Sequence, residues 1–202
     1  MKIGILGIPF NGDGTRPEME NPAAAFREAG LTRLKIRSGD TLLDYGDLLI
    51  PVFDGHRDPS TKILNLNAWK EISQHTAKRL LSIQEEADFV VILGGDCSIL
   101  LGIFGAFSLA DKRVGLVILD GHTDYRDPSS SSSGEPADLE LAILTGKGPL
   151  ELTGLFGLPP LLQPTDVVVY GYREPDLIAE SNILHYDHQV FRETGADNLA
   201  IQ

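Results

Sequence analysis

Two stretches decide the fold: Asp88-Phe89-Val90-Val91-Ile92-Leu93-Gly94-Gly95-Asp96-Cys97-Ser98 and Val114-Gly115-Leu116-Val117-Ile118-Leu119-Asp120-Gly121-His122-Thr123-Asp124. Each is a short apolar run that ends in a turn rich in Gly and Asp. Apolar runs without polar alternation are the signature of parallel strands covered on both faces. Residues 2–7 and 166–170 have the same character, and 34–37 and 183–186 are weaker candidates. Helical signals lie between them. Asn21-Pro22, three alanines and Gly30 supply an N-cap, a proline at the first helical position and a terminating glycine. Over 67–86, Trp69, Ile72, Thr76, Leu80 and Ile83 fall on one helical face, with Lys70, Glu71, Lys78 and Glu85 opposite. Residues 98–110 read as a buried apolar helix and 136–145 as a shorter one closed by Gly146. The alternation predicts an α/β fold with a mainly parallel sheet. Ligand sites in such sheets lie beyond the carboxyl ends of the strands, here the loops after Leu93, Leu119 and Tyr170.

Composition narrows the partners. The 202 residues carry 17 Lys+Arg against 29 Asp+Glu, a net charge of −12. That is one domain's worth of chain or a little more, and its acidity argues against a polyanionic partner such as nucleic acid. With 42 % hydrophobic and 23 % charged residues the chain is globular. Its single cysteine, Cys97, excludes an intrachain disulfide scaffold. No apolar run approaches the roughly 18 residues that span a bilayer. The expectation is a cytoplasmic protein without a membrane or nucleic-acid partner. Ser129 to Ser133 form a five-serine run that reads as a flexible surface loop.

Asp120, His122 and Asp124 alternate. In an extended segment, side chains at i, i+2 and i+4 project to one side and would converge. Two carboxylates and an imidazole suit Mn²⁺, Fe²⁺, Co²⁺ or Zn²⁺. The same letters also describe an Asp- and Gly-rich turn with an ordinary hydrogen-bonded histidine. Cys97 reads either as a small buried hydrophobe or as a thiolate ligand whose pKa falls at a helix start.

Gly94-Gly95-Asp96-x-Ser98 together with Asp120-x-His122-Thr123-Asp124 resembles the ureohydrolases, the family of arginase, agmatinase and formiminoglutamase. Gly7-Ile8-Pro9-Phe10, the 21–31 segment and Gly171-Tyr172-Arg173-Glu174-x-Asp176 follow the family's order, so the resemblance runs along the whole chain. It implies a three-layer α/β/α arginase/deacetylase-like domain over residues 1–202. The implied activity is hydrolysis of a linear C–N bond in a small cationic guanidino or amidine substrate, with release of urea or a related amide. The implied cofactor is a Mn²⁺ pair that activates a water. By the same resemblance, Asp120, His122 and Asp124 are metal ligands, Asp124 is also the catalytic carboxylate, and Cys97 stands where the family has a histidine ligand. Ser133, Glu135 and Asp176 match substrate-binding positions, and a homo-oligomer is expected.

The pattern also departs from the family. A thiolate at Cys97 biases the site towards Zn²⁺ or Fe²⁺. The family's proton-shuttling histidine falls at Ala137. The later D-x-D-x-x-D-P segment has no equivalent between 167 and 202, and Asp187-His188 reads as a loop. The resemblance therefore implies a domain incomplete at its C-terminus and lacking central strands, between the strand that leads to Gly94 and the strand that leads to Asp120. Residues 196–202 look like the start of a helix. The alternative expectation is a non-catalytic, degenerate member of the family.

Overall fold

The apolar run near the amino end forms β1 (Lys2–Ile8), buried from Gly4 onward. In the computed structural model, which describes residues 1–14, 21–34, 37–174 and 177–194, β1 lies between β2 (Thr41–Asp47) and β3 (Phe89–Gly94), parallel to both. A second parallel sheet has the order β4 (Leu116–Leu119), β5 (Val167–Tyr172), β6 (Leu184–Asp187). The α/β architecture with parallel strands is as expected, and the sheet is divided between β3 and β4, where the resemblance implied missing central strands. Among the described residues, β3 and β4 each pair with a single neighbour.

That division corrects one expectation. The runs at 88–93 and 114–119 do form strands, yet neither is covered on both sides. No residue of β3 is fully buried, and Val117 and Leu119 of β4 are 64 % and 73 % exposed. Their apolar character matches a sheet interior, whereas both strands stand at sheet edges, where unpaired backbone groups invite association.

β2 escaped the periodicity because Asp44 and Asp47 interrupt its apolar pattern. Both carboxylates are taken up by Arg27 of α1 (Pro22–Glu28), at 2.8 Å and 2.5 Å. Of the weaker candidate at 34–37, Lys35 and Ile36 lie outside the described residues. Asn21 caps α1 as expected, its side-chain oxygen accepting the Ala24 N–H at 2.7 Å. α2 (Leu66–Ile83) buries Trp69, Ile72, Thr76, Leu80 and Ile83, the face its spacing predicted. It packs on α3 (Leu100–Leu109) so closely that a Cβ on Gly102 would stand 2.6 Å from the Ser73 carbonyl oxygen.

The helix expected at 136–145 is split into a 3₁₀ turn, Pro136–Asp138, and α4 (Glu140–Leu144). α5 (Leu150–Thr153) follows. Asp187-His188 is the junction of β6 with α6 (His188–Thr194), where Asp187 Oδ1 accepts the N–H groups of Gln189 and Val190. The tail from 195 to 202 lies outside the described residues. One apolar cluster joins the two sheets through Ile8, Trp69, Leu101, Ile143 and Val169. Among the described residues no helix is long and apolar enough to cross a membrane.

The β4 edge yields a direct test. Replacing the exposed Val117 and Leu119 with lysine should leave the melting temperature within a few degrees and lower concentration-dependent light scattering. Unchanged scattering would mean that this edge does not drive association.

Candidate metal centre

The ends of β1 and β3 fix the first wall of the site. Gly95 N–H bonds to Ile8 O at 3.0 Å and Asp96 N–H to Phe10 O at 3.1 Å. A Cβ on Gly95 would overlap the Phe10 carbonyl, so only glycine allows this approach. Asp96 then accepts from Gly12 N–H at 2.6 Å, from Ser98 N–H at 3.0 Å and from the Ser98 hydroxyl. It thereby caps the 3₁₀ turn Cys97–Ile99 that carries the cysteine. From the other side, Trp69 Nε1 donates to Ser98 O at 2.9 Å, anchoring that turn to α2.

The second wall follows β4. Asp120 N–H bonds to Tyr170 O at 3.1 Å, and Arg173 N–H to Gly121 O at 2.9 Å. The chain then bends at Gly121 and His122 and does not stay extended. Asp124 takes a left-handed backbone, φ 49°. Non-glycine residues rarely adopt that conformation, and it tends to cluster at functional sites. A bond from Leu141 N–H to Asp124 O at 3.1 Å ties this turn to α4.

The bend decides which side chains meet. Ligand atoms of Cys97, Asp120 and Asp124 lie within 4.8 Å of one another. The Cys97 thiol donates to Asp120 Oδ2 at 3.7 Å. His122 does not join them. Its side chain is 69 % exposed, with Nδ1 3.7 Å from Asp120 Oδ1. The strict i, i+2, i+4 convergence expected from the sequence therefore fails for His122, because the segment is bent and not extended.

Ser133 and Glu135 line an open cavity of about 320 Å³ beside the cluster, together with His122, Asp124, Asp138 and Glu174. Ser133 Oγ donates to Asp138 Oδ2 at 2.7 Å and accepts from Glu135 N–H at 3.1 Å. Asp176 lies outside the described residues. The serine run is no free loop. Ser131 is buried, and the Arg57 guanidinium donates to the carbonyls of Ser131 and Ser132 at 2.5 Å and 2.9 Å.

Two acids escaped the sequence reading. Glu174 accepts from Thr123 N–H and Oγ1, both at 2.7 Å, and pairs with Arg126 at 3.1 Å. Burial works against its charge, but these bonds together hold its carboxyl below the usual value. Its position beside Asp176 in Gly171-Tyr172-Arg173-Glu174 was the available signal. Glu140, fully buried at the start of α4, meets the Asp124 carboxyl. The surrounding apolar helix concealed it.

Electrostatically the cluster is crowded. Burial, reinforced by Asp120, pushes the Asp124 carboxyl up to about 7. Burial and the carboxylates of Glu140, Asp124, Asp120 and Asp96 push the Cys97 thiol up, opposite to the fall expected at a helix start. A divalent cation among these donors would reverse both effects, since it favours thiolate and carboxylate forms. One thiol and two carboxylates, gathered and partly desolvated, suit one such cation, with softer Zn²⁺, Fe²⁺ or Co²⁺ favoured by the sulfur.

The fold and this donor set define an α/β protein with a candidate metal site at its strand carboxyl ends. More particularly, the chain belongs to the arginase family, whose model matches residues 1–202. It is 29 % identical to the arginase of Bacillus caldovelox over 197 residues, which is 94 % of this chain and 66 % of that protein. Human arginase-1 is 30 % identical over 205 residues, covering 98 % of this chain and 62 % of that one. The crystal structure of arginase from Bacillus cereus superposes with a TM-score of 0.85 at 27 % identity, covering 98 % of this chain and 68 % of that chain. The chain thus spans just under two thirds of the length of these curated relatives.

Two outcomes test this geometry. Gly95→Ala should destabilise the protein by about 1–3 kcal/mol in urea unfolding, because the clash is with backbone. In EDTA, Asp124 is protonated in the folded protein up to about pH 7 but ionised in the unfolded chain above about pH 4. Its contribution is therefore full below pH 4 and is lost as the pH rises through 7. The melting temperature of the EDTA-treated protein should fall from pH 5 to pH 8, and Asp124→Asn should flatten that fall. An equally steep fall in the variant would refute the assignment.

Proposed function

We propose that this chain carries the cation-binding face of an arginase-family hydrolase acting on a guanidino or amidine C–N bond. The observation that supports it most is the convergence of Cys97, Asp120 and Asp124 within 4.8 Å, next to an acidic cavity. These three residues would hold a divalent metal, with His122 at the rim. When bound, such a cation supplies Lewis acidity and an activated water.

The chain's own residues supply the rest. Asp124, whose carboxyl burial and Asp120 push up to about 7 without a cation, would be held as a carboxylate ligand once one is bound. Arg126 of the cavity wall is paired with Glu174, and Asp124, Glu135 and Asp138 leave the wall with an excess of acids, which favours a small cation over an anion. Ser133 is oriented by its bond to Asp138 and offers a hydroxyl to the polar end of a substrate. In this reading the substrate is a cationic guanidino compound, Asp176 adds a further carboxylate to its binding, and the protein works in the cytoplasm as a homo-oligomer.

A second reading has its own support. Ala137 stands in the 3₁₀ turn where the resemblance calls for a titratable histidine, and His122 faces outward. A family member that binds a cation without turnover would look the same.

Metal titration combined with urea release separates the two. The hydrolase reading expects Mn²⁺, Co²⁺ or Zn²⁺ to bind and urea to appear from at least one guanidino compound. Asp120→Asn should abolish both, and Cys97→Ser should weaken Zn²⁺ more than Mn²⁺. Metal binding without urea from any guanidino compound favours the non-catalytic reading, and absence of metal binding rules out the hydrolase reading.

A further inference from the structure

The cavity wall that carries Ser133 and Glu135 has no helix or strand of its own between residues 129 and 135. Short-range bonds shape it: Asp127 O accepts from Ser130 and Ser131 N–H, and Ser131 Oγ accepts from Gly134 N–H at 2.9 Å. A second segment ties it to the fold. Residues 56–65, just before α2, form a closed loop in which Asn65 N–H donates to His56 O at 3.0 Å and Asp58 N–H to Ile63 O at 2.8 Å. Arg57 and Leu64 face each other there in an antiparallel bridge. Ile63 and Asn65 are both 0 % exposed. Asn65 Nδ2 donates to Gly12 O at 2.9 Å, and the Gly12 N–H in turn donates to Asp96. The loop is therefore anchored in the core.

Arg57 reaches from this anchored loop to the serine segment. Its guanidinium donates to Ser131 O at 2.5 Å and to Ser132 O at 2.9 Å, while its Nε donates to Lys62 O. Among the described residues its hydrogen-bond partners are backbone carbonyls alone, with no carboxylate to pair the charge. A planar fork of five N–H donors can hold acceptors on two segments at once, which a lysine ammonium cannot reproduce. Beside it, Leu64 N–H donates to Gly134 O at 2.9 Å. Gly134 is enclosed between the two segments: a Cβ there would stand 2.3 Å from the Lys62 carbonyl oxygen and 2.6 Å from Arg57 Nε. Ser131 is 4 % exposed, so without the guanidinium its carbonyl would have little access to water.

We propose that Arg57 is the positioning residue of this wall: by clamping the carbonyls of Ser131 and Ser132 it keeps Ser133 and Glu135 in the cavity beside the cation cluster. Arg57 belongs neither to the cavity lining nor to the gathered donors, so it acts through the segment it holds. The inference rests on the hydrolase reading given above and adds to it a residue outside the family motifs. Loosening the wall weakens the hold on the polar end of a substrate and leaves the cation donors in place.

Hydrogen exchange and Co²⁺ titration of the full chain test this, as wild type, Arg57→Ala, Arg57→Lys and, as a distant control, Arg113→Ala, which removes the exposed pair of Arg113 with Asp166. Arg57→Ala should speed amide exchange over residues 129–135 by about tenfold, the loss of roughly one charge-assisted bond, while α2 exchanges as in the wild type. Arg57→Lys should fall between the two, and Arg113→Ala should leave the segment unchanged. Co²⁺ affinity by calorimetry should stay within about twofold in every variant. With L-arginine as probe, urea release by Arg57→Ala should show KM raised by about tenfold and kcat within about twofold. Unchanged exchange over 129–135 in Arg57→Ala would overturn the proposal. So would faster exchange spread equally through α2, which would mean general destabilisation, or a fall in kcat at constant KM. A wild type that binds no Co²⁺ or releases no urea would count against the hydrolase reading, and the exchange of the segment would still decide the role of Arg57.

Discussion

Acids and a thiol crowded into partly dry space repel one another, and that repulsion organises this molecule. Asp120, Asp124, Glu140 and Cys97 converge where water is scarce, and the strain appears in their protonation: Asp124 rises to about 7, and the Cys97 thiol and Glu140 move up as well. A fold selected for stability alone would place apolar residues there. The surroundings restrain the cluster by rigid means: the Asp96 cap, the Trp69 anchor, the glycine contact at Gly95 and the left-handed turn at Asp124. Each fixes the backbone near or within the turn that carries Cys97 or Asp124.

The site also sits on a seam. Cys97 follows β3 of one sheet and Asp120 follows β4 of the other, and among the described residues no strand pairing joins the two sheets. Packing joins them instead, through α3, α4 and the shared apolar cluster, with the Cys97–Asp120 contact at the end of the seam. The edges of β3 and β4 on either side are apolar and partly exposed. The same two strands thus lead into the candidate ligands and carry partly exposed apolar edges.

Much of this was legible in the amino-acid order. The strands that carry ligands, the helix face from Trp69 to Ile83, the Asn21 cap and the importance of the two Gly- and Asp-rich turns all follow from local pattern. β2 was not legible, because its aspartates are satisfied by Arg27, a residue far enough away in sequence that periodicity carries no trace of it. α6 was hidden because Asp187 reads equally well as a loop acid and as a helix cap. Glu140 was hidden for the opposite reason: in an apolar helix a single acid looks like a solvent-facing residue, and only the packing shows it facing inward.

The sequence by itself determined the α/β class, the position of the candidate site at strand carboxyl ends and the acidic, sulfur-containing character of its candidate donors. These are consequences of local periodicity and residue chemistry, which do not depend on distant neighbours. The tertiary structure alone decided which donors meet. Alternation projects side chains to one side only while the backbone stays extended, and the bend after Asp120 with φ 49° at Asp124 breaks that condition. His122 is turned to solvent, Cys97 is brought in from the turn after β3 of the other sheet, and Glu140 comes from a helix to meet the Asp124 carboxyl. Convergence of this kind depends on through-space packing between segments 16 to 43 residues apart in order, counted from Asp124 to Glu140 and from Cys97 to Glu140, which no local pattern encodes.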